Sequence, residues 1–272
     1  MKVTYVWTTD VVNMQVTDTD NFWGLGDVVR GMITTGITCL EHGYSFDIDV
    51  SRHPLSHWLE NGTAKASKNN KIHFIPTGKQ NKLLDYIHSE KTDDVTLMTN
   101  AAFDRKNPHL KTVLKKVRDV FKPNDQVVKK LNTILDSLKI TSKFQTLHLR
   151  VGDDYMVRKK DNRYKLNMID GIVSQYDLSK TLIVSDSNIV KKYIRTNHPD
   201  SIMYDIDYIT HIGLCDDKDH ALNTFIEILL ISNTNSIDSY TQYNHNSGFV
   251  NLINLLFNTP VSYKQQNIKW IV

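Results

Sequence analysis

The residues best suited to chemistry lie in one hexapeptide, residues 148–153, with the sequence His-Leu-Arg-Val-Gly-Asp. Arg150 carries a planar fork of N–H donors that can hold two phosphate oxygens at once, and His148 adds a donor that depends on protonation. Gly152 permits a tight turn that brings backbone N–H groups close to an anion. This combination suits a diphosphate. The same hexapeptide also fits an ordinary salt bridge between Arg150 and Asp153 beside a buried histidine, because short motifs often match by chance.

A second glycine-containing segment, residues 21–32, leads into an apolar helical pattern near the N-terminus. Gly24 and Gly26 would let the backbone approach a ligand, and Asp27 is predicted to cap the following helix. The N-terminus of that helix would favour a negatively charged group. The dinucleotide-binding fingerprint G-x-G-x-x-G is not met, because Val29 occupies its third glycine position.

Two further segments join these. Residues 182–187 form an apolar run that ends in Asp186 and Ser187, and an apolar helical stretch at 224–231 precedes Ser-Gly-Phe at 247–249. Together the four segments resemble the motifs of the fucosyltransferase superfamily, which groups α1,2-, α1,6- and protein O-fucosyltransferases. Members transfer fucose from GDP-fucose on a GT-B-like scaffold. Ser187 stands where that family's third motif has a second acidic residue, and the fourth segment is a looser match.

The resemblance implies roles for individual residues. Arg150 would hold the β-phosphate of GDP-fucose and stabilise the charge that builds there as the sugar bond breaks. His148 would contact the nucleotide, and Asp186 would accept hydrogen bonds from the guanine edge. Ser247 or Phe249 would line the phosphate or base pocket. The predicted site comprises the catalytic candidates Arg150, Asp27 and Asp153 and the donor-binding candidates Gly24, Gly26, His148, Gly152, Asp186, Ser187, Ser247 and Phe249.

The implied reaction is a single displacement with inversion, in which an acceptor hydroxyl attacks the anomeric carbon while a base removes its proton. Candidate bases are Asp27, Asp153 and Asp154, although Asp27 also fits a helix cap and Asp153 also fits a partner that orients Arg150. The Lys and Glu that follow the second motif in the α1,6 branch appear here as Asp154 and Arg158, which weakens an α1,6 assignment.

The order of apolar runs predicts an α/β fold, because short strand-like runs alternate with helical ones. We expect a GT-B-like layout of two Rossmann-like domains whose parallel sheets face each other across a cleft. Residues 1–123 would form the acceptor side and residues 124–272 the donor side. Strands are predicted at 3–8, 44–50, 72–76, 95–99, 144–149, 181–185 and 201–204, and helices at 26–42 and 124–138.

Composition limits the partners. The chain has 272 residues, 40% of them hydrophobic, and a net charge of +3. Its basic clusters, 111–122 and 158–165, are interrupted by apolar or acidic residues, so a nucleic-acid partner is not required; the first also has the helical spacing of an amphipathic surface helix. No apolar run approaches the roughly 18 to 20 residues of a membrane span, and no secretory signal is visible, so we expect a cytoplasmic protein. Nothing in the sequence indicates the oligomeric state.

Three alternatives remain at this stage. Asp47-Ile48-Asp49 and Asp205-Ile206-Asp207 could each hold a divalent metal beside a nucleotide-sugar diphosphate, although the exposed face of an edge strand fits them better. A donor other than GDP-fucose is compatible with the phosphate motifs. A protein of this fold that binds GDP or a glycan without catalysis is the third. Neither a metal nor a nicotinamide cofactor is indicated, and the acidic residues and histidines around Cys215 resemble a polar loop.

Overall fold

The computed structural model describes residues 1–9, 24–62, 71–75, 80–141, 143–152, 165–204, 212–243 and 245–265. The chain divides into two compact units. One unit consists of residues 1–127 and 212–221, and the other of residues 128–211 and 222–272. The sequence placed a single boundary after residue 123 and did not predict that residues 212–221 return to the first unit.

The first unit contains a four-stranded parallel sheet in the order β2-β1-β4-β3. Its strands are β1 (Lys2–Thr8), β2 (Ser45–Arg52), β3 (His73–Ile75) and β4 (Asp94–Thr99), and its helices are α1 (Leu25–Glu41), α2 (Gln80–Ser89) and α3 (Leu110–Val120). The central strand β1 is nearly continuous in apolar residues, as expected for a parallel strand covered on both faces. Val3, Tyr5, Val6 and Trp7 are fully buried there.

The second unit contains another four-stranded parallel sheet, in the order β6-β5-β7-β8. Helix α4 (Asp125–Leu138) leads into it, and the further elements are β5 (Gln145–Arg150), α5 (Leu166–Val173), β6 (Thr181–Ser185), α6 (Asn188–Asn197), α7 (Lys218–Ser232), β7 (Ser236–Thr241), α8 (Gly248–Phe257) and β8 (Val261–Gln265). Apolar side chains of the strands and of α5 and α6 form one core cluster, which includes Leu147, Leu149, Ile183, Val190 and Ile194. The prediction of an α/β fold with parallel sheets is confirmed.

One predicted strand is not formed, and two observed strands were not predicted. Residues 201–204 do not form a strand; Ile202 makes only an isolated parallel bridge to Leu182. Strands β7 and β8 were not predicted, because β7 reads Ser-Ile-Asp-Ser-Tyr-Thr and lacks an apolar run. Its polar side chains find partners in the fold, so burying them costs little.

Two side chains of residues 1–127 form hydrogen bonds to the segment 212–221 of the same unit. His53 is buried and stacks on Trp7 with ring centroids 3.6 Å apart. Its Nδ1 accepts the backbone N–H of Leu55, so its Nε2 carries the proton and donates to the carbonyl of Ile212 at 3.1 Å. The indole N–H of Trp58 donates to the carbonyl of Lys218 at 2.6 Å. Burial, which the bond to Ile212 partly offsets, lowers the pKa of His53 to about 4.

Helix α1 reaches the sheet through a glycine. A Cβ atom at Gly31 would lie 1.7 Å from the carbonyl oxygen of Thr99 at the end of β4. That oxygen also accepts the Tyr5 hydroxyl at 3.1 Å, so it cannot move without breaking a buried hydrogen bond. The close approach of α1 to β4 therefore depends on the absence of a side chain.

We expect Gly31→Ala to destabilise the first unit by about 3 kcal/mol, because backbone atoms must shift to admit the methyl group. Gly171→Ala is the matched control: it lies in α5, and no atom of the described residues is within 4 Å of the position that its Cβ would take. There the helix propensity of alanine should keep the change within about 1 kcal/mol, on the stabilising side. Denaturant unfolding followed by circular dichroism is the measurement, because both units contain helices and the signal therefore reports both variants. Equal stability of the two variants would contradict the clash.

Candidate functional site

The carboxyl ends of β5, β6 and β7 meet at one edge of the second sheet because the three strands are parallel. Arg150 is the last residue of β5, and Asp186 and Gln242 directly follow β6 and β7. Ligands of open parallel sheets bind at this edge, where loops from several strands converge. The structure thus brings the second and third predicted motifs together.

Asp186 holds the turn that follows β5. Its Oδ1 accepts the backbone N–H of Val151 at 2.9 Å, and its Oδ2 accepts that of Gly152 at 3.2 Å. Gly152 has φ +97°, a left-handed conformation that favours glycine. The sequence predicted that this turn would present N–H groups to an anion. The anion they bind is the protein's own carboxylate, so these two donors are not free for a ligand.

Arg150 is held on two sides and keeps one donor unused. Its Nη1 lies 3.9 Å from Asp186 Oδ2, and its Cζ lies 5.3 Å from the centre of the Tyr243 ring. The side chain is 33% exposed. Its Nε is buried and has no hydrogen-bond partner in the described part of the chain. A buried donor without a partner is costly, and at a sheet edge it indicates a ligand position.

Ser247 presents a second unused group near the same edge. It is fully buried and directly precedes α8, yet its side chain makes no capping hydrogen bond. Its Oγ, too, has no partner among the residues that the structure describes. Helix α8 follows β7, so its N-terminus lies on the side of the sheet's carboxyl edge. A helix N-terminus with a free hydroxyl is suited to a phosphate oxygen.

His148 lies beneath this surface. It is 3% exposed, its Nδ1 is 3.0 Å from the Ser239 hydroxyl, and its ring stacks on Phe249 at a centroid distance of 5.8 Å. Burial, and secondly the positive charge of Arg150, lower the pKa of His148 to about 3, so the imidazole is neutral at physiological pH. Phe249 is partly exposed and is the member of the pair that a ligand can reach. His148 can therefore support a nucleotide site through Phe249.

Ser187 serves the scaffold. It is fully buried, and its hydroxyl accepts the backbone N–H of Val190 at 3.1 Å, which caps helix α6. Serine is among the best residues at this position because its oxygen satisfies one of the free N–H groups of the first turn. The predicted contact of Ser187 with a donor stays a prediction.

The glycine motif of the first unit folds differently from the prediction. Gly24, not Asp27, is the N-cap of α1, with φ −65° and ψ 163°. Asp27 is the third helical residue, and its carboxylate pairs with Arg30 at 2.8 Å. Arg30 also donates from Nε to the carbonyl of Asn100 at 2.9 Å. The prediction of Asp27 as the cap was wrong, because the helix already begins at Leu25, two residues before Asp27. Gly26 lies in the first turn of the helix.

Other predicted groups are buried or lie outside the described residues. Asp49 is 2% exposed and accepts both the N–H and the hydroxyl of Ser51, so its placement on an exposed face was wrong. Asp47 lies 3.5 Å from Lys116 Nζ. Among the described residues, no three His, Cys, Asp or Glu side chains form a group able to hold a metal ion. Asp153, Asp154, Arg158 and the second Asp-x-Asp at 205–207 lie outside the described residues.

Sequence reasoning missed Gln242 and Tyr243. The side-chain amide of Gln242 donates to the carbonyl of Val151 at 2.6 Å, and the Tyr243 ring lies against Arg150. Neither residue carried a signal, because the strand that precedes them was not recognisable. Tyr and Gln after an unpredicted strand read as loop residues.

The fold is similar to that of several solved fucosyltransferases. NodZ from Bradyrhizobium matches with a TM-score of 0.54 at 11% sequence identity, over 94% of this chain and 92% of that one. NodZ α1,6-fucosyltransferase co-crystallised with GDP matches with a TM-score of 0.52 at 12% identity, over 94% and 93%. The same enzyme soaked with GDP-fucose gives 0.50 at 10% identity, over 94% and 93%. No protein-family model and no curated protein sequence matches this chain. The comparison shows the fold.

A search of the described helices for one long and apolar enough to span a bilayer finds none.

We expect the free energy of unfolding to depend on pH through His148. Its folded pKa lies below the value of about 6.5 for an unfolded histidine, so unfolding takes up a proton. The resulting stability is fully present above about pH 6.5 and declines as the pH falls toward 3, by up to about 1.4 kcal/mol per pH unit. His53 contributes in the same direction toward pH 4.

His148→Asn tests this, since asparagine can replace Nδ1 toward Ser239 but does not titrate. Unfolding free energies measured between pH 5 and 6.5 should show about one proton fewer taken up in the variant than in the wild type. An unchanged slope would show that His148 titrates normally in the folded protein.

Proposed function

We propose, for a chain with the fold of the fucosyltransferases, that it transfers a sugar from a GDP-linked donor, with GDP-fucose as the donor, to a hydroxyl of a glycan acceptor. The observation that carries the proposal is the unpartnered Nε of Arg150 at the carboxyl edge of the second sheet. Ser247 adds a second unpartnered group, beside the N-terminus of α8. Two NodZ structures of this fold were obtained with GDP or GDP-fucose, which supports the choice of ligand.

Different residues would contact different parts of the bound nucleotide. Arg150 supplies the positive charge, and its unused Nε and remaining N–H groups donate to oxygens of the β-phosphate. The hydroxyl of Ser247 donates to a further phosphate oxygen near the N-terminus of α8. Phe249, supported by the neutral His148, offers a flat apolar face to the base. The resemblance to the motifs of the fucosyltransferase superfamily, whose donor is GDP-fucose, supports guanine as that base.

Arg150 also lowers the barrier to transfer. As the bond between the anomeric carbon and the phosphate oxygen breaks, negative charge grows on the diphosphate, and a fixed guanidinium stabilises this charge more than the ground state. A positive side chain at this place supplies the stabilisation that a divalent metal supplies in other nucleotide-sugar enzymes. We therefore propose an inverting, metal-independent displacement.

The acceptor hydroxyl loses its proton during the attack. Of the candidate bases, Asp27 is the one within the described residues, and its carboxylate is paired with Arg30 and about 40% exposed. We propose Asp27 as the base because a carboxylate is a suitable general base for such a displacement, and the ion pair with Arg30 fixes its position.

A binding protein without catalysis is the second candidate. The contact of the Asp27 carboxylate with Arg30 at 2.8 Å favours it, because this ion pair engages the one candidate base that lies within the described residues. The two candidates share the diphosphate site and differ only in turnover. Release of GDP from GDP-fucose, with and without a panel of glycan acceptors, separates them.

We expect GDP to bind the wild type in the micromolar range in the presence of EDTA, and Arg150→Ala to lose most of this affinity. Arg195→Ala is the matched control, because this exposed arginine lies in the last turn of α6, at the end of the helix remote from the sheet's carboxyl edge. Isothermal titration calorimetry with GDP and GDP-fucose is the measurement. A folded wild type that binds neither nucleotide contradicts the proposal, and binding only without EDTA favours a metal-dependent site.

Ser247→Ala should change stability and binding in different directions. Removing a buried hydroxyl that has no partner relieves a desolvation cost, so the free protein should be equally stable or more stable by up to about 1 kcal/mol. Loss of a hydrogen bond to phosphate should weaken GDP binding by about three- to tenfold. Thermal unfolding and calorimetry check the two halves. A destabilised variant with unchanged affinity for GDP would show that Ser247 has a structural role.

A further inference from the structure

The two residues after β7 contact the turn that carries Arg150. The backbone N–H of Gln242 donates to the carbonyl of Arg150 at 3.4 Å, and its side-chain amide donates to the next carbonyl, that of Val151, at 2.6 Å. Tyr243 follows, with its backbone N–H donating to the buried hydroxyl of Thr241 at 3.1 Å. Both residues are therefore fixed to the strand ends.

Tyr243 places its ring against the guanidinium of Arg150. Cζ lies 5.3 Å from the ring centre, within the range of a cation–π contact. Asp186 approaches the same guanidinium at 3.9 Å, which is longer than a charge-assisted hydrogen bond. Both groups therefore contact the guanidinium, and the aromatic face restricts it without consuming any of its N–H donors.

We propose that Tyr243 is a positioning residue for Arg150: it fixes the guanidinium so that its unused donors point to the diphosphate, while Gln242 fixes the backbone on which Arg150 stands. The inference rests on the proposed GDP site and extends it to a pair of residues that follow β7, a strand without any of the recognised motifs. A flexible arginine side chain would lose rotamer freedom on binding, which costs affinity. An arginine that is already fixed avoids this cost.

The role belongs to the ring face and not to the hydroxyl. Phenylalanine keeps an aromatic face for the cation, and leucine keeps an apolar side chain of similar bulk without that face. Tyr243→Phe and Tyr243→Leu therefore separate cation–π positioning from simple packing. Tyr193→Leu is the matched control, since this tyrosine of α6 bonds Asp170 and makes no described contact with Arg150.

GDP and GMP titrations of the full chain test the inference. For GDP, we expect Tyr243→Phe to stay within about twofold of the wild type, Tyr243→Leu to bind about five- to tenfold more weakly, and Tyr193→Leu to be unchanged. The affinity for GMP, which lacks the β-phosphate, should fall less in Tyr243→Leu, so that the ratio of GDP to GMP affinity decreases. General damage to the site would lower both affinities together. Thermal unfolding without nucleotide confirms that each variant is folded.

The outcomes separate the role of Tyr243 from the proposed binding of GDP. No GDP binding by the wild type contradicts the GDP site itself. A wild type that binds GDP, with a Leu variant that binds equally well, overturns the role of Tyr243 and leaves the site intact. Equal loss of GDP affinity in the Phe and Leu variants also overturns it, because the hydroxyl would then be the important group.

Discussion

The hydrogen bonds from Val151 and Gly152 to the carboxylate of Asp186 are the constraint on which the carboxyl edge of the second sheet depends. A turn with two inward N–H groups is a natural anion site. Here it is filled by a residue 34 and 35 positions later in the chain, which joins the ends of β5 and β6. The turn thereby becomes part of the scaffold, and the proposed recognition of a ligand falls to Arg150, Ser247 and the N-terminus of α8.

The electrostatics of this edge favour a multiply charged anion. Arg150 carries a full positive charge that Asp186 compensates only at a distance, and burial keeps His148 neutral beneath it. A protonated His148 would add repulsion within the core and would lose its apolar stacking role under Phe249. The edge therefore combines one fixed charge, one hydroxyl and one aromatic face. A nucleoside diphosphate offers a complement to each.

The sequence made the buried parallel strands predictable, since β1, β4, β5 and β6 are apolar runs, and Arg150 could be placed at a strand end for that reason. It could not reveal β7, in which the buried Ser239 contacts His148 and the half-buried Asp238 accepts a hydrogen bond from Tyr176. Both partners come from distant parts of the chain. The same holds for the anion at Gly152 and for the aromatic partner of Arg150. Asp27 was misplaced as a cap because local propensity favours aspartate there, whereas Gly24 occupies the position.

The segment 212–221 has a consequence for how these proteins can be recombined. The first unit is not one continuous stretch of sequence, because the carbonyls that satisfy His53 and Trp58 come from Ile212 and Lys218, beyond most of the second unit. In a chimera joined at residue 127, His53 and Trp58 would come from one parent and the segment that carries their two acceptor carbonyls would come from the other. Exchange of the whole first unit between relatives of this fold would have to carry the short segment along.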